Sequence, residues 1–580
     1  MIDPPSPTAE PGHPPEPEPG LEPGSETARP GGPVSTGSGL VAGPATAGGS
    51  AGHGIGRAAV LIGGLTILAR ILGFARTVVF AGTVHTSCLS AAYVTANLVP
   101  NVIYDIVLGG ALTAIVVPVL AGPADSRARA EVSSISSALL TWTVVILTPV
   151  SLALALGARP VISALMPPNP ASGCARASLL PVAAQMLAVF APQILLYGLA
   201  VVLYGILQAH RKFTAPALAP ILSSVVVIGA YVLFVPFGRR YTTDVTGLPP
   251  AAELILSVGT TAGVAALVLT AIMPAFRLKL RLRPSLRFPA GVAPRARNLA
   301  GVGIAALVAQ DASVLVVARL ANAHGGSNGS AIAVYNYGWQ VFVSVYAVLA
   351  IPIAVSAFPV LSARRGAEFD AAAASATRAT ALTSWLGAAL LAGVAVPVAR
   401  AFPSLNHAVT GQFALALVAF APGLVGYGLS ASLSRVLLAD NRNAVAAVAM
   451  VAGWLVVIGA DVAVVPLVRS GSVVPVLGLA NTVGMTASGI ALLIAVGRAR
   501  GVAALHGTGR ALGAGLAGAL TGATVGAAMT ELVPVSGHWQ NACLALLAGT
   551  GALVSFLVVV ALLDGGDRRA VLSRALRRPL

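Results

Sequence analysis

The sequence predicts an all-α polytopic membrane protein of about 14 transmembrane helices. Three observations predict it. Of 580 residues, 56% are hydrophobic and 9% charged, against about 25% charged residues in soluble domains, and the mean hydropathy is +0.87. Basic residues alternate between dense and sparse in successive loops. Short segments also recur, at offsets of 241 residues (116 to 357) and 230 residues (206 to 436).

The first 52 residues hold six acidic residues and one basic residue, Arg29, in a Pro/Gly/Glu-rich run. Such a segment buries no core and is expected to be disordered. No basic stretch followed by an apolar run opens it, so it does not read as a signal peptide. After it, apolar runs broken at charge clusters and Pro/Gly loops place helices at 58–82, 89–121, 132–157, 178–208, 214–236, 252–276 and 298–322. They continue at 331–362, 374–399, 410–438, 443–467, 474–497, 511–534 and 541–564. About 20 apolar residues cross the hydrocarbon. The stretch "VISALMPPNP" is too short to cross and is expected at an interface. Pro100, Pro118, Pro352 and Pro359 read as kinks or helix ends.

One set of loops holds Arg57, Arg127, Arg129, Arg211, Lys212, Arg364, Arg365, Arg442, Arg498, Arg500 and Arg510, together with seven basic residues in "RLKLRLRPSLRFPAGVAPRAR" and the tail "DRRAVLSRALRRPL". The other set holds Arg159, Arg176, Arg239, Arg240, Arg400 and Arg469. The denser set belongs inside, which puts both termini in the cytoplasm. The recurring segments predict six helices repeated as six helices, forming two pseudo-symmetric lobes with a site between them. The resulting division is a tail at 1–56, a first lobe at 57–276, a basic linker at 277–297, a second lobe at 298–500, two further helices at 501–564 and a basic tail at 565–580.

Several function classes are disfavoured. The formal charge of +16 sits in short loops, where it sets orientation, and no aromatic-rich basic patch points to nucleic acid. No Ser/His/Asp arrangement, HExxH, CxxC or Walker loop points to an enzyme or an ATP-driven pump. The polar residues inside apolar runs remain. Arg70 and Arg76 lie in "LTILARILGFARTVVFAG", about 9 Å apart along a helix. Buried arginines are costly and normally face a bundle interior or a wet cavity, although Arg76 could instead snorkel to the interface. Asp105 is a candidate partner for either. Asp311 and Asp461 are carboxyls in apolar stretches: candidates for a shared cation site, for helix-to-helix hydrogen bonds, or for pairs with Arg319 or Arg435. Cys88 and Cys174 fall in loops on the same side, where independent thiols are preferred to a disulfide. Cys543 is expected to be packed within its helix.

"ARILGFARTVVFAG", "AAYVTANLVPNVIYDIVLGGALTAIVVPVLAG", "LYGILQAHRKFTAPALAPIL" and "YNYGWQVFVSVYAVLAIPIAVSAFPVLSA" together resemble the MurJ (MviN) lipid II flippase family, in its actinobacterial branch. The resemblance implies a MOP-superfamily, MATE-like fold in which two extra C-terminal helices form a groove for the lipid tail. It implies export of undecaprenyl-linked peptidoglycan precursor across the bacterial cytoplasmic membrane by alternating access, without a cofactor. The drive would be a coupling cation (sodium or proton) at Asp311 and Asp461, or the membrane potential. The implied cavity residues are Arg70, Arg76, Asn97, Asn101, Tyr104 and Gln340, and the implied partners are the lipid-linked precursor, membrane lipids and wall-synthesis or division proteins. The chain departs from the family at Thr77 and Ala91, where acids are usual, at Tyr104–Asp105, where a basic pair is usual, and at Gln340, where an arginine is usual. These departures keep two rivals open: a MOP-type exporter of small solutes or drugs, and a transport-deficient scaffold in wall synthesis.

Overall fold

The computed structural model describes residues 52–106, 129–167, 174–278, 280, 282–287, 292–326, 330–403 and 405–563. The expected disordered tail (1–51 of it), Pro118, the 107–121 part of the second predicted helix and the basic C-terminal tail lie outside the described residues. Every described regular element is helical. The first half comprises α1 (Gly52–Thr83), α2 (Cys88–Asp105), α3 (Arg129–Leu156), α4 (Ala158–Leu165), α5 (Arg176–Phe190), α6 (Gln193–Ala209), α7 (Thr214–Gly238) and α8 (Pro250–Phe276). The second comprises α9 (Val292–His324), α10 (Ala331–Leu349), α11 (Ile351–Ala363), α12 (Gly366–Gly393), α13 (Ala395–Ala401), α14 (His407–Phe420), α15 (Gly423–Ala439), α16 (Asn443–Val464) and α17 (Val473–Arg500). Two more follow, α18 (Thr508–Leu532) and α19 (His538–Leu563).

Twelve described helical spans, two of them made of the consecutive helices α5–α6 and α14–α15, are long and apolar enough to cross a membrane, and α12 with α13, bent by 56° at their junction, makes a thirteenth. They cover all predicted spans except 89–121, of which only the first part is described. The short "VISALMPPNP" stretch supplies the last five residues of the eight-residue α4, ARPVISAL.

The two halves repeat. The pairs α1–α7, α2–α5, α3–α6, α5–α8, α6–α8 and α7–α8 pack together in the first half. Their counterparts α9–α16, α10–α14, α12–α15, α14–α17, α15–α17 and α16–α17 pack together in the second. The repeat extends to single atoms. A run predicted as one helix, 178–208, breaks at Phe190-Ala191-Pro192, and its counterpart 410–438 breaks at Phe420-Ala421-Pro422. Proline lacks the N–H that continues a helical ladder. In each half a threonine from the last helix repairs the gap. Thr261 donates its hydroxyl to Val189 O (3.0 Å) and accepts from Gln193 Nε2 (3.0 Å). Thr482 donates to Ala419 O (2.6 Å) and accepts from Gly423 N (3.1 Å). A hydroxyl inserted into the ladder is a recognised cause of a kink. The turns that follow also match: Arg211 (φ 58°) and Asn441 (φ 60°) are left-handed. Lys212 N–H and Arg442 N–H reach back to Leu207 O and Leu437 O, each at 2.8 Å, which closes both helices by a six-to-one bond.

Two expectations are corrected. Cys88 and Cys174 are not independent thiols but a disulfide, with Cα atoms 5.7 Å apart, joining the start of α2 to the loop before α5. Cys543 is exposed rather than packed inward. The final pair of helices docks on the second half through glycines: a Cβ at Gly526 would lie 2.9 Å from Gly393 Cα, and one at Gly522 would lie 3.0 Å from Ala389 Cβ. Removing side chains there lets the backbones of α18 and α12 approach closely, as small-residue helix interfaces in membranes do.

Candidate transport cavity

The cavity starts from one stripe of α2. Tyr93, Asn97, Asn101 and Asp105 recur every fourth residue and so share a helix face. All four line a cavity of about 240 Å³ between the two halves. α1 adds Arg76, Thr77 and Phe80, α6 adds Tyr197, α7 adds Tyr231, and α8 adds Thr260. The second half supplies Gln310 and Asp311 from α9 and Asn336, Tyr337 and Trp339 from α10.

A hydrogen-bond chain lines the first-half wall. Thr260 spends its hydroxyl proton on Leu256 O (2.7 Å). Tyr93 therefore donates to Thr260 Oγ1 (2.7 Å) and accepts from Tyr231 (2.8 Å). Tyr197 donates to Asn101 Oδ1 at 3.2 Å and packs its ring, tilted by 36°, against that of Tyr104 with centroids 4.1 Å apart. Asn97 Oδ1, Asp311 Oδ2 and Tyr337 Oη are buried without a protein partner. Buried polar atoms without partners are uncommon and mark a site that a ligand or water completes.

The cavity is not uniformly cationic. Among the described residues that line it are one guanidinium, Arg76, and the carboxyls of Asp105 and Asp311. Among the described residues neither aspartate forms an ion pair with an arginine, so the expected pairing of Asp105 with Arg70 or Arg76 does not occur, nor do Asp311 and Asp461 pair with Arg319 or Arg435. Arg435 instead donates to Ala431 O within its own helix, at 2.6 Å. Asp461, on α16, is fully buried and neither of its oxygens has a partner.

Of the residues expected at this site, the structure brings Arg76, Asn97, Asn101 and Asp311 to one cavity. Arg70, Tyr104, Gln340 and Asp461 do not line it. The tyrosines, Thr260, Gln310, Asn336 and Trp339 were not expected there. The every-fourth-residue polar stripe of α2 was the available signal for Tyr93 and Asp105. The rest come from helices distant in sequence.

Toward the disulfide, aromatic side chains from both halves close the cavity. Phe80 packs on Tyr93 (4.9 Å), Tyr231 (5.2 Å) and Tyr337 (6.5 Å). Tyr337 continues to Phe402 (5.4 Å), which meets Phe413 (5.0 Å) and Phe74 (5.9 Å). Hydrogen bonds cross between the halves at the same end: Asn322 Nδ2 donates to Thr95 Oγ1 (3.0 Å) and Leu165 O (3.2 Å), and Ser330 N–H donates to Thr86 O (3.2 Å).

The chain and its two-halved architecture have counterparts among known proteins. The profile of a family described as lipid II flippase MurJ matches residues 80–542. A lipid II flippase MurJ of Burkholderia cenocepacia is 27% identical over 183 residues, covering 31% of this chain and 34% of that protein. A probable lipid II flippase MurJ of Synechocystis is 26% identical over 249 residues, covering 42% and 44%. These alignments therefore span less than half of each relative. Among solved structures, lipid II flippase MurJ in an inward closed conformation superposes with TM-score 0.65 at 16% identity, over 90% of this chain and 100% of that one. An inward-facing multidrug resistance MATE family transporter of the MOP superfamily gives 0.59 at 14% identity, over 76% and 98%. At these identities the superpositions establish the shared fold.

Proposed function

Because the chain belongs to the lipid II flippase MurJ family, we propose that it moves a lipid-linked peptidoglycan precursor across the bacterial cytoplasmic membrane by alternating access between its two halves. The observation that carries this reading is the polar cavity at their junction, sealed toward the disulfide by aromatic rings from both. The cavity is far smaller than a disaccharide bearing a peptide and a diphosphate, so cargo must be admitted by separation of the halves. Arg76 is the cavity group suited to phosphate, because a guanidinium keeps its charge and offers a planar fork of donors. Asn97 and Asn101 offer amides to sugar or peptide.

Both termini are cytoplasmic in this reading, and the disulfide faces the oxidising exterior. Asp311 and Asp461 are the coupling candidates. A carboxylate as enclosed as Asp461 is costly unless it holds a proton or a cation. Asparagine at both positions should abolish any stimulation of precursor binding by sodium; stimulation that persists would remove them from the coupling step.

One observation favours the rival, a small-solute exporter: the described cavity lining has two carboxyls to one guanidinium, a balance suited to a cationic cargo. Depletion of the resident flippase in a host cell separates the readings. This chain should restore exposure of the precursor at the outer leaflet, and lose that ability with Arg76→Ala. Failure of the unaltered chain, with organic cations exported instead, would overturn the flippase reading. Rescue that survives Arg76→Ala would keep the reading and discard the residue.

A further inference from the structure

Part of the link between the two halves, the described residues among 278–287, lies along the helix bundle. After α8, Leu278 and Leu280 pack against the cluster of Val132, Ile135, Leu139, Val202 and Ile206. Three hydrogen bonds then pin the link to α3. Arg283 N–H donates to Ser137 Oγ (3.0 Å), Ser285 N–H to Thr141 Oγ1 (3.1 Å), and Trp142 Nε1–H to Leu286 O (3.0 Å). The surface of α3 changes character at this level. Its exposed residues before the contact are Ala130, Glu131 and Ser134, two of the three polar, and those after it include the consecutive Val144, Val145 and Ile146. The strap therefore crosses α3 where a polar surface becomes one suited to hydrocarbon, which is headgroup depth. Satisfying its backbone with hydroxyls is what allows an extended segment to rest there.

At that depth the strap turns Arg283 and Arg287 outward beside exposed Leu282 and Leu286. Residues 254–310 contain no acid, while 277–297 contain seven basic residues. We propose that the strap is a docking surface for anionic phospholipid, with the two guanidinium groups on headgroup phosphates and the two leucines in the upper acyl region. Basic segments held at a membrane face attract anionic lipid in this way, and the indole of Trp142 sits at the matching boundary.

The test uses the full chain in phosphatidylcholine vesicles containing a minority of brominated phosphatidylglycerol. Trp142 emission is isolated by subtracting the Trp142→Phe variant. Bromine on phosphatidylglycerol should quench Trp142 more than the same amount of brominated phosphatidylcholine. Arg283→Gln with Arg287→Gln should weaken that preference about tenfold while leaving thermal unfolding in pure phosphatidylcholine unchanged. Equal quenching by both lipids, or a preference that survives the double substitution, would overturn the proposal. So would displacement of the brominated lipid by inorganic phosphate, or by a polyprenyl diphosphate in preference to phosphatidylglycerol, since either would assign the strap to another ligand. Should the double variant misfold, Ser137→Ala with Thr141→Val, which releases the strap without touching its charge, must lower the preference for the proposal to stand.

Discussion

A guanidinium in an apolar run has to be explained, and for Arg76 the explanation is a wall of the central cavity. Arg76→Lys should retain part of the transport that Arg76→Ala loses, because charge survives but the planar fork does not; precursor exposure at the outer leaflet measures both. Arg70 carries the same sequence signal but lies off the cavity lining, since periodicity alone does not decide which face of α1 meets the other half. His85 gives a second expectation. Burial and the nearby Arg239 guanidinium hold its imidazole below the ordinary value of 6.5. The unfolded chain therefore binds the extra proton more readily, and stability falls as the pH drops below about 6.5. His85→Asn, which tolerates the left-handed φ of 62°, should flatten that acid limb in a thermal-unfolding series. Cys88 and Cys174 lie 86 residues apart, and nothing local in the sequence shows that α2 and the loop before α5 are neighbours.

At the level of elements, hydropathy located the spans but concealed their breaks, because a kinked apolar run is as apolar as a straight one. The tripeptide Phe-Ala-Pro at 190–192 and again at 420–422 was the legible mark of both kinks. The threonines that repair them come from α8 and α17 and were not legible. Thr261→Val and Thr482→Val each leave a partly buried carbonyl bare and should each destabilise by about 1 kcal/mol, read as a loss of thermal stability in detergent. Thr482→Ser keeps the hydroxyl and should cost far less. Gly526→Val places a branched side chain where a Cβ already comes within 2.9 Å of Gly393, and should unseat α18 from α12. Proteolysis between α17 and α18 would report it.

Over the whole molecule, the two-lobed plan was visible in the offsets of short repeats, because each half independently satisfies the same packing and capping rules. The aromatic seal was not visible, since Phe80, Tyr337 and Phe402 come from three remote spans and only the closed arrangement gathers them. Alternating access predicts that this seal opens. Cysteines at Thr86 and Ser330, whose backbones are hydrogen-bonded across the halves, should crosslink on oxidation and arrest transport, with recovery on reduction; a variant without Cys88 and Cys174 controls for the native disulfide. Transport that continues with the crosslink formed would exclude rocking of the halves as the cycle.

The glycine contact of α18 with α12 also has a mechanical consequence. The last two helices pack on α12 and α13 of the second half, so they travel as cargo on that half whenever it tilts. Spectroscopic distances from α19 to α16 should then hold constant through a cycle, while those from α19 to α3 lengthen and shorten once per turnover.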